Sequence, residues 1–376
     1  MTPDLLYSET EQDLRAAVRS LLAAHGAPAS VLAGAESGRP YDTGLWQSLA
    51  VGMGTAGLLV PEKSGGQGAT AREAAVVLEE LGRTVADVPY LTSAVLAVRT
   101  LLGCDTGRTE VAAPLTALAE GRQVGALAVP LPTAPGAGVR PTVSAEPTGP
   151  DRALLTGTVN AVAGAAGADV LLVPTDTGLH SVDPTAEGVT LTPLTPLDLT
   201  RPIARITLSA APAALLAGPD RARTALDAAL LTGAGLLASE QLGVAEWCLT
   251  ETVRYAGERQ QFGRPIGSFQ ALKHRLAALW LDIASARATA RNAADALATD
   301  APDAAIAVAV AQSCCSEVAV RAAEECVQLH GGIGMTWEHP AHLYLKRART
   351  DATALGTPDR HRQALARLAD VPGPVA

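Results

Sequence analysis

The sequence predicts an α+β fold in three parts: an N-terminal helical domain, a small middle β-sheet or barrel domain, and a C-terminal helical bundle. Three observations carry that reading. Helical apolar spacing with start and stop signals fills the first third of the 376 residues. Near residue 122 the texture changes to Pro, Gly and Thr with short apolar runs between turn signals, the pattern of strands. From Asp220 long apolar stretches return and continue to about residue 370. The boundaries are therefore 1–121, 122–215 and 216–376, and a chain this long can bury more than one core.

Each element has a local reason. Ser8 and Glu11 form a capping box before Leu14, Val18, Leu21 and Leu22, and Gly26 ends that run. A second segment spans Leu45 to Met53. After the loop Ser64-Gly65-Gly66-Gln67-Gly68, a helix from about Thr70 to Arg83 carries Val76, Val77, Leu78 and Leu81. A short helix covers Ser93 to Leu102. The strand-like runs are Ala126–Val129, Val170–Val173 and Ile203–Leu208, enough for a small sandwich or barrel. A long helix from Asp220 to about Gly257 contains Gly233, Gly235 and Gly243. Each interior Gly costs about 0.5–1 kcal/mol relative to Ala, so close helix packing or a closely approaching ligand must offset it. A further helix starts at Ala301-Pro302-Asp303, with Pro302 near its first turn, and stops at His330-Gly331-Gly332.

Composition excludes several functions. The net charge is −9 and aromatic residues make up 3%, which argues against nucleic-acid partners. Met1-Thr2-Pro3-Asp4 lacks a basic region ahead of an apolar stretch, so no secretory signal is read. The apolar region Ala222–Leu249 is interrupted by Asp227, Glu240 and Glu246 and reads as a buried helix, not a membrane span. The five cysteines, Cys104, Cys248, Cys314, Cys315 and Cys326, suit no disulfide framework, and no Cys/His spacing suggests a metal. The expectation is a cytoplasmic protein with neither membrane nor nucleic-acid partner.

No strand–GxGxxG–helix unit, Walker A loop or Gly-x-Ser-x-Gly elbow occurs, and Gly164-x-x-Gly167 is a bare spacing match. Two segments carry more information: Arg254-Tyr255-Ala256-Gly257-Glu258-Arg259-Gln260-Gln261-Phe262-Gly263-Arg264-Pro265-Ile266-Gly267-Ser268-Phe269-Gln270, and Gln328-Leu329-His330-Gly331-Gly332-Ile333-Gly334-Met335-Thr336-Trp337-Glu338-His339-Pro340. Together they resemble the flavin-dependent acyl-CoA dehydrogenase family, of the actinobacterial type that lacks the usual catalytic Glu. Gly57–Glu62, Gly65-Gly66 and Glu79-Glu80-Leu81-Gly82-Arg83 resemble it too, as does the α–β–α order.

The resemblance implies FAD, held in part across a subunit boundary by Arg259, Phe262, Gln270, Gln328, Gly331, Gly332, Gly334 and Thr357. An Arg fork suits a pyrophosphate, and glycines admit close backbone approach. Residues 216–376 would then carry a flavin half-site and an oligomer interface. The implied reaction removes two hydrogens from an acyl-CoA or acyl-carrier thioester, and it needs a carboxylate base. The two positions where the family puts that Glu are Leu355 and Gly233 here. Asp351 lies four residues before Leu355, Glu240 is about two helical turns from Gly233, and Glu338 reads as a structural ion-pair partner. The family's aromatic-x-x-Thr-Glu and Trp-x-Thr/Ser strands correspond to Ala126–Pro130 and Val159–Ala163, which lack those hydroxyls and the Trp. A flavin ring there forgoes hydrogen bonds of about 0.5–1.5 kcal/mol each.

Three activities fit this pattern. The chain would be an acyl-CoA dehydrogenase, or a catalytically incomplete subunit of a heteromeric acyl-CoA dehydrogenase, or a flavin monooxygenase or other activity on the same fold, and the resemblance implies a homo- or hetero-oligomer with related acyl-CoA dehydrogenase subunits.

Overall fold

Local chemistry starts some helices of the N-terminal part. In the computed structural model, which describes residues 5–25 and 28–371, α1 (Glu9–His25) opens on the expected capping box. The Ser8 N–H donates to Glu11 Oε2 at 2.7 Å and the Glu11 N–H to Ser8 Oγ at 3.2 Å. Gly26 and Met1–Asp4 lie outside the described residues. α2 (Pro28–Glu36) follows, then α3 (Thr43–Gln47), whose cap Asp42 accepts from the Leu45 N–H at 3.0 Å. α4 (Ala71–Thr84) matches its expected span. A π-helical stretch, Tyr90–Ala97, runs into α5 (Val98–Leu102), so this helix begins before Ser93. α6 (Thr109–Ala119) has no counterpart in the sequence reading. Pro114 sits inside it, and buried Val111, Leu115 and Leu118 hold it in place.

The middle of the chain forms one seven-stranded mixed sheet: β1 (Gly125–Leu127), β2 (Val143–Gly149), β3 (Arg152–Ala163), β4 (Val170–Thr175), β5 (Gly178–Val182), β6 (Val189–Leu194) and β7 (Ile203–Ala217). The order is β1-β4-β5-β7-β3-β2, with β6 also on β7. β1 and β4 are parallel and the other pairs antiparallel. β7 extends well beyond the expected Leu208. Between Leu208 and Ala211 two residues face the single Thr156 of β3, a bulge that contains Ala210 at φ +52°. The bent strand pairs β6 along Ile203–Leu208 and β5 along Ala213–Ala217. Ala126 of β1 and Val143 of β2, from opposite ends of the order, share one apolar cluster with Leu155, Leu171 and Ile206, so the sheet curls around its core.

The remaining elements are α7 (Pro219–Glu258), the short strands β8 (Gln260–Gln261) and β9 (Arg264–Pro265), α8 (Gln270–Ala298), α9 (Ala304–His330), α10 (Ala341–Asp351) and α11 (Pro358–Leu368). α9 starts at Ala304, after Pro302, with Asp303 at its cap position, so Pro302 lies ahead of the helix and not in its first turn. Two compact units emerge from the described residues. One holds the sheet and comprises residues 33–74 and 87–234; the other is helical and comprises residues up to 32, 75–86 and from 235 onward.

Small residues let the helical unit pack closely. α8 and α9 bury Ala286, Ala290 and Ala293 on one side and Ala311, Ala319 and Ala322 on the other, which accounts for a core with few aromatics. A Cβ on Gly82 would lie 2.1 Å from the Glu240 carbonyl oxygen, and one on Gly243 would lie 1.9 Å from the Glu79 carbonyl oxygen. Thus α4 and α7 meet backbone to backbone. A Cβ on Gly235 would lie 2.5 Å from Leu297 Cδ1. Close packing therefore offsets the helix cost of Gly235 and Gly243.

The buried carboxylates there are paired with arginines. Arg15 Nη2 donates to Glu79 Oε1 at 2.5 Å, and Arg15 Nε and Arg19 Nε each reach Glu80 at 2.8 Å. Glu246 takes Arg83 and Arg287, and Glu240 takes Arg347 with both side chains about 3% exposed. Trp247 stacks on Tyr344 at 3.5 Å, and the Tyr344 hydroxyl donates to the Arg83 carbonyl at 2.7 Å. Two helical stretches, Pro219–Glu258 and Ala304–Met335, are long and apolar enough to cross a membrane, but 89% of the most apolar window of the first is buried within the fold.

Candidate functional site

The two informative segments form adjoining structures in the helical unit. After α7 ends, β8 and β9 make a tight hairpin around Phe262 (φ +53°) and Gly263 (φ +72°). Both central residues are left-handed, as a two-residue hairpin of this type requires. Gly263 adopts this freely; Phe262 is strained there, and its ring is 90% exposed. Arg259 stands at the base of the hairpin, where its carbonyl accepts from the Ile266 N–H at 2.8 Å. Its guanidinium is exposed and makes no ion pair among the described residues. Gln270 is the exposed first residue of α8.

The second segment ends α9. Gln328 is exposed, and its carbonyl accepts from the Gly331 N–H. The three glycines differ in what they need. Gly331 has φ +63°, which favours Gly. Gly334 is buried, and a Cβ would come 2.5 Å from the Val327 carbonyl. Gly332 has neither constraint, and nothing lies within 4 Å of where its Cβ would be. The bare backbone at Gly332 is therefore open to a ligand.

Tyr255 joins the segments. Its hydroxyl lies 3.4 Å from the His330 carbonyl, and its ring stacks on the His330 imidazole at 4.3 Å. Below His330, burial opposes the ring's charged form, but Cys326 and Glu251 outweigh it and raise its pKa. Cys326 is pulled down to about 5, first by a hydrogen bond from Cys248 and, against burial, by His330. Burial, then Cys326, pushes the Cys248 thiol up.

The expected base positions hold no carboxylate. Leu355 is buried at φ +54°, its carbonyl accepts from His361 Nε2 at 3.0 Å, and Gly356 follows at φ +106°. Gly233 is buried within α7. Thr357 Oγ1 accepts from the Arg360 N–H at 3.4 Å and so caps α11. Asp351 is fully buried at the end of α10, and its carbonyl accepts from Gln241 Nε2 at 3.3 Å. Glu240 is held by Arg347. Glu338, expected to form an ion pair, is exposed and forms none among the described residues; its neighbour His339 reaches Glu251 instead. In the sheet unit, Ala126–Val129 are buried, and Ala161 in the Val159–Ala163 stretch sits in an irregularity at φ +53°. Neither stretch carries a hydroxyl side chain.

Comparison with known proteins agrees with the architecture. Residues 8–136 match the model for the acyl-CoA dehydrogenase N-terminal domain, and residues 223–369 match that for the acyl-CoA dehydrogenase C-terminal domain. The chain is 39% identical to acyl-CoA dehydrogenase IpdE2 of Mycobacterium tuberculosis, covering 98% of each. The solved ChsE4-ChsE5 complex from Mycobacterium tuberculosis contains a chain 31% identical, with a TM-score of 0.85 over 99% of this chain and 100% of that one. A glutaryl-coenzyme A dehydrogenase complex, at 24% identity and a TM-score of 0.86 over 98% and 97%, shares the fold.

Proposed function

The chain belongs to the acyl-CoA dehydrogenase family, and from that premise we propose that it is one subunit of a heteromeric, flavin-dependent acyl-CoA dehydrogenase. In this reading the assembly carries out α,β-dehydrogenation of an acyl thioester, and a related partner subunit supplies the carboxylate base. The observation that carries it is Leu355: a buried hydrocarbon at the family's base position, in a left-handed backbone conformation rare for such a residue. Leu355 cannot accept the α-proton. The relative in the ChsE4-ChsE5 complex is itself part of an assembly of two different proteins, which supports the heteromer.

The residues present fit a dinucleotide. Gly332 leaves backbone bare, and Arg259 offers a free fork beside exposed Gln270 on the same hairpin-to-helix segment. In the proposal FAD is the flavin, and when bound it accepts the β-hydrogen as hydride. Arg259 would hold the pyrophosphate, Gln328 and Gln270 would hydrogen-bond the adenine or ribitol ends, and Gly331, Gly332 and Gly334 would admit close backbone approach. Phe262 at the hairpin tip is covered by another subunit, as are Ile333, Met335 and Trp337 on the glycine loop, all exposed in the isolated chain. Thr357 contributes through the cap that fixes the loop behind it. The sheet unit adds no hydroxyl at Ala126–Pro130 or Val159–Ala163, so the ring needs help from the partner. The three-part boundaries at 121/122 and 215/216 and a cytoplasmic setting belong to the same proposal.

The test is the colour and activity of the purified chain, alone and co-expressed with a family member that retains the Glu. We expect a colourless, inactive chain that yields a yellow assembly bleached anaerobically by acyl-CoA thioesters. A yellow chain bleached on its own overturns the heteromer. Leu355→Glu is expected to raise turnover only in the assembled, flavin-loaded state.

A further inference from the structure

The geometry points to a divalent transition-metal site of the kind that takes Zn²⁺, formed by Glu251, His330 and His339. The three come from separate places in the helical unit: Glu251 from the last turns of α7, His330 from the end of α9, and His339 from the loop before α10. Glu251 Oε1 lies 3.5 Å from His339 Nε2 and 3.9 Å from His330 Nε2, and the three ligand atoms fall within 4.8 Å of one another. A tetrahedral Zn²⁺ with Zn–N and Zn–O of about 2.0–2.2 Å needs ligand atoms roughly 3.3–3.5 Å apart. Modest side-chain adjustments close the remaining gap. Two imidazoles and one carboxylate leave a fourth position for water.

His330 supplies an independent indication. Its Nδ1 lies 2.6 Å from the Cys326 carbonyl, which can only accept, so Nδ1 carries the proton. In the neutral ring Nε2 is then a bare lone pair, and because Cys326 and Glu251 raise the ring's pKa a metal at Nε2 must displace the proton of the charged form. The side chain is fully buried, and Nε2 has no hydrogen-bond partner among the described residues. Leaving that buried nitrogen without a partner is unfavourable. A ring that donates one N–H to a backbone carbonyl and turns its other nitrogen toward a carboxylate is how metal-ligating His is usually held.

Two features moderate the affinity. The Ala341 N–H donates to His339 Nδ1 at 3.3 Å, a long bond that is given up when the metal takes Nε2 and the ring proton moves to Nδ1. Arg254 also holds the carboxylate, with Nη2 at 2.5 Å from Oε1 and Nε at 2.9 Å from Oε2. Each carboxylate oxygen has a second lone pair, so Arg254 orients Glu251 without blocking it. Its charge, however, opposes a cation. A bound metal would pin the start of the Gly331–Met335 turn to α7.

The test uses the full chain, stripped with EDTA and titrated at mildly alkaline pH with Zn²⁺ by calorimetry and with Co²⁺ by absorption. One equivalent per chain is expected, with the ligand-field bands of a four-coordinate site. His339→Gln and Glu251→Gln should each weaken binding by at least ~10-fold. Arg254→Ala should tighten it by roughly fivefold through lost like-charge repulsion. His330→Ala is avoided as the sole test because the ring is stacked and buried. Absence of saturable one-to-one binding overturns the site. So does binding unchanged in both His339→Gln and Glu251→Gln proteins of unaltered melting temperature.

Discussion

Two charge clusters stand five residues apart on α7, centred on Glu246 and on Glu251, and they are built differently. Around Glu246 each acid has cations to match: Arg15 reaches Glu79, Arg15 and Arg19 hold Glu80, and Arg83 and Arg287 hold Glu246. Around Glu251 stand one arginine and two imidazoles, and one imidazole nitrogen is buried without a hydrogen bond among the described residues. A saturated cluster has capacity only to hold helices together. An unsaturated one retains capacity for a further ligand. Perturbing the first should therefore change stability, and perturbing the second should change binding.

The largest effect is expected where the saturated region is most deeply buried. Arg347→Ala removes the buried cation that pairs with Glu240 and should lower unfolding free energy by about 3–5 kcal/mol, measured by urea titration. A loss under about 1 kcal/mol would show that buried pairs contribute little here. Next come the neighbours Glu79 and Glu80. Burial pushes the Glu80 carboxyl up, but hydrogen bonds from Arg19 and Arg15 more than offset it and hold it below its ordinary value. Its stabilisation is present above the unfolded value and lost as pH falls through the folded one, so it belongs to the acid limb. Glu79 is raised, by burial first and then by the charge of Glu246. Its contribution is present below the unfolded value and lost as pH rises through the folded one. Glu80→Gln should accordingly cost about 1.5–3 kcal/mol at neutral pH and flatten the acid limb. Glu79→Gln should cost clearly less at neutral pH than in weak acid. Equal costs at both pH values would remove the distinction. The smallest effect is His339→Gln, expected to stay within about 0.5 kcal/mol of wild type in metal-free protein. A larger loss would place the Glu251 cluster among the structural ones.

The sequence was readable where the cause of structure is local. The Ser8–Glu11 box, the alternation from helical to strand texture and the stop at Gly331 are short-range signals, and each reappears in three dimensions. α6 was not readable because Pro114 argues against it, and only burial of Val111, Leu115 and Leu118 sustains it. The second half of β7 was hidden by Pro212 and by a bulge that exists only when β3 pairs alongside. The signature segments could be found because each is contiguous. Leu355 revealed a missing carboxylate, but its left-handed backbone could not be foreseen. Glu251, His330 and His339 give no spacing signal; the packing of α7 and α9 brings them together.

The reciprocal contact of Gly82 with Glu240 and of Gly243 with Glu79 bears on how this unit opens with time. Helices that touch through carbonyl oxygens leave no room for partial separation or a sliding step, because a one-turn shift would drive side chains into space that fits only bare backbone. Amide protons in 79–83 and 240–244 should then exchange with solvent only when the whole helical unit unfolds, and should share one opening free energy. The slowest-exchanging protons of the unit would thus cluster about two glycines, residues that on propensity alone are the weakest points of their helices.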